Sequence, residues 1–151
     1  MDHNMYLQSL FGLDGKTILI TGAAGGIGAA ISRGLARAGG EVALCGRTVE
    51  KCQSLAAEIL SEGGKASAHY LDVANTATIQ PCVDEVVQQY GKIDVLFNVA
   101  GINKREGLLD VEEFTYDRIM NTNLKGLFFV SQAVAREMYK RKSGNIINIG
   151  S

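Results

Sequence analysis

The sequence has no excess of either charge: 15 lysines and arginines stand against 16 aspartates and glutamates, a formal net charge of −1. So even a balance exerts no global pull toward nucleic acid or an anionic membrane. Cysteine is scarce and odd in number. Cys45, Cys52 and Cys82 form no Cys-x-x-Cys pair, so neither a disulfide framework nor a metal site is expected, and a reducing, cytoplasmic compartment fits. No run approaches the roughly 18 apolar residues of a membrane span. The first fifteen residues also lack a basic segment followed by an apolar one, so secretion and membrane insertion find no support. Internal repeats, low-complexity tracts and linkers are missing, and proline occurs once.

What remains is an ordinary globular composition, 46% hydrophobic and 21% charged in 151 residues, enough for one domain and one core. Glycine is the outlier, 18 residues or about 12% against a usual ~7%. The glycines follow no Gly-x-y period and lie between long apolar elements, which excludes collagen and a flexible linker.

Five short apolar runs read as strands: 16–21, 41–45, 66–71, 95–98 and 145–149. Three are almost continuously apolar, as strands covered on both faces are. Helical periods separate them. Ile27, Ile31 and Leu35 repeat at intervals of four before Gly39-Gly40, predicting a helix that buries this face. A second helix is expected from Thr48 to Gly63, with Leu55, Ala56 and Ile59 inward. A third is expected from about Asn75 to Tyr90, with Ile79, Val83, Val86, Val87 and Tyr90 inward and Gly91 closing it. The longest is expected from Val111 to Lys142, opened by Asp110 with Glu113 three residues on, close to a capping box. The first eleven residues are expected to form a loosely held arm. This β-α alternation predicts an α/β fold, a doubly wound parallel sheet built by right-handed crossovers.

Thr21-Gly22-Ala23-Ala24-Gly25-Gly26-Ile27-Gly28 joins the first strand to the first long helix. An open α/β sheet receives a phosphate-bearing ligand at such a turn, where free amides and the helix dipole face one crevice. Gly22 suits the tight turn, Gly26 a close approach of a diphosphate to the backbone, and Gly28 close packing of helix on strand. The spacing G-x-x-x-G-x-G differs from the generic G-x-G-x-x-G. Gly12 to Thr17 imitates a P-loop but is two residues short, and its Lys-Thr precedes a strand. After the second strand stands Arg47, where an acid usually binds ribose hydroxyls; an arginine there favours a 2′-phosphate, hence NADP with NAD possible, against the alternative of a solvated loop charge.

Thr21-Gly22-x-x-x-Gly26-Ile27-Gly28, Asp72-Val73, Asn98-Val99-Ala100-Gly101, Asn123 and Asn148-Ile149-Gly150-Ser151, in this order and spacing, resemble the short-chain dehydrogenase/reductase family from about residue 11 to the end. The resemblance implies a Rossmann-type NAD(P)-binding domain over 12–151 with five strands in the order 3-2-1-4-5. It implies coenzyme contacts from Thr21, Gly22, Ala24, Gly26, Ile27 and Gly28, with Arg47 at the ribose. Asp72 and Val73 would flank the adenine, and Asn98, Ala100 and Gly101 would lie beside the coenzyme. Asn123 and Ser151 match two of four catalytic positions. Val99 departs from the family's usual second asparagine.

Family members carry a Tyr-x-x-x-Lys pair about a dozen residues past the serine, where the tyrosine works as general acid/base. Here the sequence ends at Ser151, so the expectation is an amino-terminal part of a longer enzyme, incomplete in its sheet and inactive alone, with the fifth strand left as an exposed apolar edge. The loop Gly101 to Gly107 resembles the sugar-acid branch, the gluconate and deoxygluconate dehydrogenases, and Arg105 matches an arginine able to grip a substrate carboxylate. A solvated loop charge, a 3-oxoacyl-carrier-protein reductase and a non-catalytic NADP(H)-binding module are the competing readings. The complete protein is expected to be a homo-oligomer, dimer or tetramer, acting on a small molecule without nucleic acid or membrane.

Overall fold

A computed structural model describes residues 3–150. The apolar runs form β1 (Thr17–Thr21), β2 (Glu41–Gly46), β3 (Lys65–Tyr70), β4 (Val95–Asn98) and β5 (Asn145–Asn148). All neighbours pair in parallel, in the expected order β3-β2-β1-β4-β5. β1 is buried at every residue, which is why its sequence does not alternate. Ile18 and Ile20 point to one face, with Val42, Leu44 and Ile59, under α2 (Gly26–Arg37) and α3 (Val49–Ser61). Leu19 points to the other, with Val83, Leu96, Val130 and Val134, under α4 (Ile79–Tyr90) and α6 (Leu127–Arg141).

β3 begins one residue earlier than expected and ends before Leu71, its register aided by Lys65, whose Nζ reaches the Glu41 carboxylate at 2.9 Å. The Asn75 side chain accepts the Ala77 N–H ahead of α4, and Gly91 closes that helix at φ +79°. The arm of 1–11 carries a helix, α1 (His3–Phe11), exposed over residues 4–11.

Two expectations are corrected. The buried face of α2 does not centre on Ile27, Ile31 and Leu35, of which Leu35 packs partly against the core. It centres on Gly28, Ser32 and Ala36, and Ile27 is 63% exposed. The helix lies so close to the β1 turn that a Cβ on Gly28 would collide with the Gly22 carbonyl, so only small residues fit. Ser32 loses no hydrogen bonding there, since its hydroxyl donates to the Gly28 carbonyl at 2.7 Å.

The single helix expected from Val111 to Lys142, opened by Asp110, is interrupted. Leu108–Asp110 is a separate 3-10 turn, α5 (Glu113–Met120) starts behind Glu112 without a side-chain cap, and Asn121–Gly126 is a π turn before α6. The backbone carbonyl of Glu112 receives the Thr115 and Tyr116 N–H groups, which leaves Asp110 no capping role. A π turn holds one extra residue, and apolar periodicity carries no mark of it.

Candidate coenzyme and active site

The carboxyl ends of the strands meet on one level: Thr21 pairs with Cys45 and Asn98, and Asn98 with Asn148. The order reverses between β1 and β4, so a crevice opens above them. Into it faces the start of α2, whose first turn has no side-chain cap and whose amides therefore await an acceptor. Gly22 turns the chain at φ +64°, and a Cβ there would stand 2.8 Å from the Ala100 Cα, so side chains are excluded on two grounds. Above Gly26 nothing lies within 4 Å of a Cβ position, which leaves backbone open to a ligand. The Ala23 N–H donates to the Cys45 carbonyl at 3.2 Å and ties the loop to β2.

Thr21 does more than begin the turn. Its hydroxyl oxygen accepts the N–H groups of both Val99 and Ala100 at 3.1 Å, hanging the Asn98–Gly101 stretch from β1. Ala24 packs against the α2–α3 side of the core, while Ile27 is exposed at the mouth of the turn. Asp72 caps its own turn, its Oδ1 accepting the Ala74 N–H at 3.0 Å, and Val73 is buried beneath it. Arg47 is exposed one residue past β2.

Asn123 occupies the π turn and grips the β4–α5 loop with both ends of its carboxamide. Its Oδ1 accepts the Ile102 N–H at 2.9 Å and its Nδ2 donates to the Ile102 carbonyl at 2.8 Å. Gly101 lies beside the same side chain. Arg105 is exposed in that loop, between Lys104 and Glu106, which pair with each other. A cavity of about 310 Å³ under the loop is walled by Ile102, Lys104, Glu112, Phe114, Thr115 and Arg118, without Arg105. Ser151 lies outside the described residues.

Three residues, Gly126, Ser131 and Asp94, escaped the sequence reading of the site, which named Asn148 only within the closing motif. Gly126 closes the π turn so tightly that a Cβ would sit 2.5 Å from the Val73 carbonyl oxygen. Ser131 and Asn148 hold Asn98, and Asp94 anchors the base of β1 through the Thr17 N–H at 2.9 Å. Only Ser131 left a signal, a hydroxyl inside the apolar stretch from Leu127 to Val134.

Compared with known proteins, residues 16–151 match the family described as short chain dehydrogenase. Gluconate 5-dehydrogenase of Gluconobacter oxydans is 42% identical over 142 residues, covering 94% of this chain and 56% of that protein. A 3-oxoacyl-[acyl-carrier-protein] reductase of Thermotoga maritima is 41% identical over 139 residues, 92% of this chain and 56% of its own. The chain thus spans about 56% of the length of these curated relatives. Among solved structures, an NAD+-bound xylitol dehydrogenase superposes with TM-score 0.88 at 34% identity, over 92% of this chain and 54% of that one. A metagenomic short-chain oxidoreductase in complex with NADP superposes with TM-score 0.87 at 37% identity, over 92% and 63%.

Proposed function

Because this chain belongs to the short-chain dehydrogenase family, we propose that it holds a nicotinamide coenzyme at the β1–α2 turn. The complete protein then moves a hydride between that coenzyme and the alcohol or ketone carbon of a sugar acid. The observation that carries the reading is the glycine cradle: a left-handed Gly22 pressed on Ala100, an open Gly26 and an uncapped α2 start. These residues fit a diphosphate, and the bound coenzyme supplies or accepts the hydride.

Thr21, Gly22, Ala24, Gly26, Ile27 and Gly28 are assigned to the diphosphate, Asp72 and Val73 to the adenine, and Asn98, Ala100 and Gly101 to the nicotinamide side. Arg47, exposed beside the turn, pairs with a 2′-phosphate, so NADP is preferred over NAD. Asn123 keeps the loop above the crevice in place through Ile102. Ser151 polarises the substrate oxygen and stabilises the charge that develops on it. Arg105 pairs with the substrate carboxylate. Three buried free thiols suit a cytoplasmic setting, and the complete protein acts as a homo-oligomer on a small molecule.

The test uses the complete natural polypeptide. Fluorescence titration should show NADP binding more tightly than NAD, and gluconate or 5-ketogluconate should turn over with it. Arg105→Ala should raise the substrate KM about tenfold or more with kcat little changed, as loss of a charged hydrogen bond does. An unchanged KM removes the sugar-acid assignment. Binding without turnover of any alcohol or ketone identifies a coenzyme-binding module. A 3-oxoacyl thioester turned over in preference would support the second reading, which the similarity to the Thermotoga reductase favours.

A further inference from the structure

Asn98 is the last residue of β4 and is only 3% exposed. Its Nδ2 carries two protons and both are used, one donated to the Ser131 hydroxyl and one to Asn148 Oδ1, each at 2.9 Å. Its main-chain carbonyl accepts the Ile149 N–H at 3.0 Å. One residue therefore joins β4 to α6 through Ser131 and to the carboxyl end of β5 through Asn148 and Ile149.

The Asn98 Oδ1 is buried and meets no hydrogen-bond donor among the described residues. The orientation of the carboxamide therefore rests on its two Nδ2 bonds. Remove Ser131 and half of that restraint goes; rotation of the amide would turn Oδ1 toward Asn148 Oδ1, an acceptor facing an acceptor. Asn148 depends on this orientation through its Oδ1, and two segments adjoin the pair. Val99 and Ala100, directly after Asn98, run to the Thr21 hydroxyl, and Ile149 begins the exit from β5 that leads to Ser151.

We propose that Ser131 is a positioning residue for hydride transfer: its hydroxyl, on α6, fixes the Asn98 carboxamide and through it the exit of β5 toward Ser151. The proposal rests on the coenzyme-dependent oxidoreductase reading above. Among the described residues the Ser131 hydroxyl is hydrogen-bonded to Asn98, and it acts through that residue. Its loss misaligns the reacting groups and leaves the diphosphate cradle on β1 and α2 intact.

In the complete natural polypeptide, Ser131→Ala should lower kcat about tenfold while the coenzyme Kd stays within about twofold. The primary deuterium isotope effect on kcat should rise, because misalignment slows the hydride step itself. Ser131→Thr keeps the hydroxyl and should restore most of kcat. Wild-type kcat and isotope effect in Ser131→Ala would overturn the proposal. So would parallel losses of kcat and coenzyme affinity, the mark of a merely structural role, or a Thr variant as poor as the Ala variant. Amide hydrogen exchange separates this outcome from failure of the functional reading. The Ile149 N–H should exchange about tenfold faster in Ser131→Ala, with or without turnover. Unchanged exchange at Ile149 overturns the positioning role, whereas a wild-type protein that binds no nicotinamide coenzyme overturns the function.

Discussion

Asp94 is a nearly buried carboxylate that accepts the Thr17 N–H at 2.9 Å and pairs with Lys92 at 2.9 Å and Arg141 at 3.1 Å. Burial alone pushes its pKa up. The Thr17 amide and the two cations outweigh burial and hold the group below the usual carboxylate value. A pKa lowered on folding contributes stability that is complete above the unfolded value of about 4 and is lost as pH falls through the folded one. Urea unfolding followed from pH 7 to pH 2 should therefore show an acid limb beginning near pH 4. Asp94→Asn should flatten that limb and lower stability at pH 7 by about 1–3 kcal/mol, since it keeps an acceptor for Thr17 and strands two cations. An unaltered limb would remove Asp94 from the acid response. By contrast, Cys45 lies 3.6 Å from Cys82 Sγ, and that hydrogen bond together with burial drives its thiol pKa well up, toward an unreactive thiol.

At the scale of elements, the π turn between α5 and α6 is the piece that brings distant parts of the site together. It presents Asn123 to Ile102 on one side and Gly126 to Val73 on the other. A Cβ at Gly126 would press on the Val73 carbonyl and carbon at 2.5 and 2.9 Å, both backbone atoms that yield only if the Asp72–Val73 turn moves. Gly126→Ala should thus cost about 1–3 kcal/mol in thermal or denaturant unfolding. It should also weaken coenzyme binding several-fold in a fluorescence titration; wild-type affinity would show that the turn does not bear on the adenine side. The pairing of α2 with α3 is looser: Arg33–Glu58 and Arg37–Glu62 are exposed bidentate pairs, which salt screens.

Over the whole molecule the two sides of the sheet differ. Among the described residues each edge strand has one partner, β3 with β2 and β5 with β4, but it is at β5 that apolar side chains cluster in the open, Ile146, Ile147 and Ile149 each being 39% exposed. Beside it α6 and the π turn leave Phe128 and Leu124 each 57% exposed. Unpaired strand edge and apolar side chains together are a template for association. The 151-residue chain on its own should therefore grow in apparent mass with concentration in light scattering, and Ile147→Lys should suppress that growth. Concentration-independent monomer in the unsubstituted chain would show that the edge is adequately masked.

The sequence by itself determined what depends on near neighbours in the chain. The apolar runs of β1, β2 and β4, the glycine turn from Thr21 to Gly28, the left-handed stop at Gly91 and the alternation of strand and helix were all legible from local composition and period. The tertiary structure alone decided what depends on distances between elements far apart in sequence. Ile27, Ile31 and Leu35 look like a buried stripe, yet Gly28, Ser32 and Ala36 are the buried residues, and at Gly28 the Gly22 carbonyl stands where a side chain would go. The extra residue of the π turn has no periodic signature. Asn98 reads as a strand end, and only the folded chain brings Ser131, 33 positions later, and Asn148, 50 positions later, to its two protons. A hydrogen bond forms between groups within about 3 Å of each other, whatever their separation along the chain, and no local pattern carries that information.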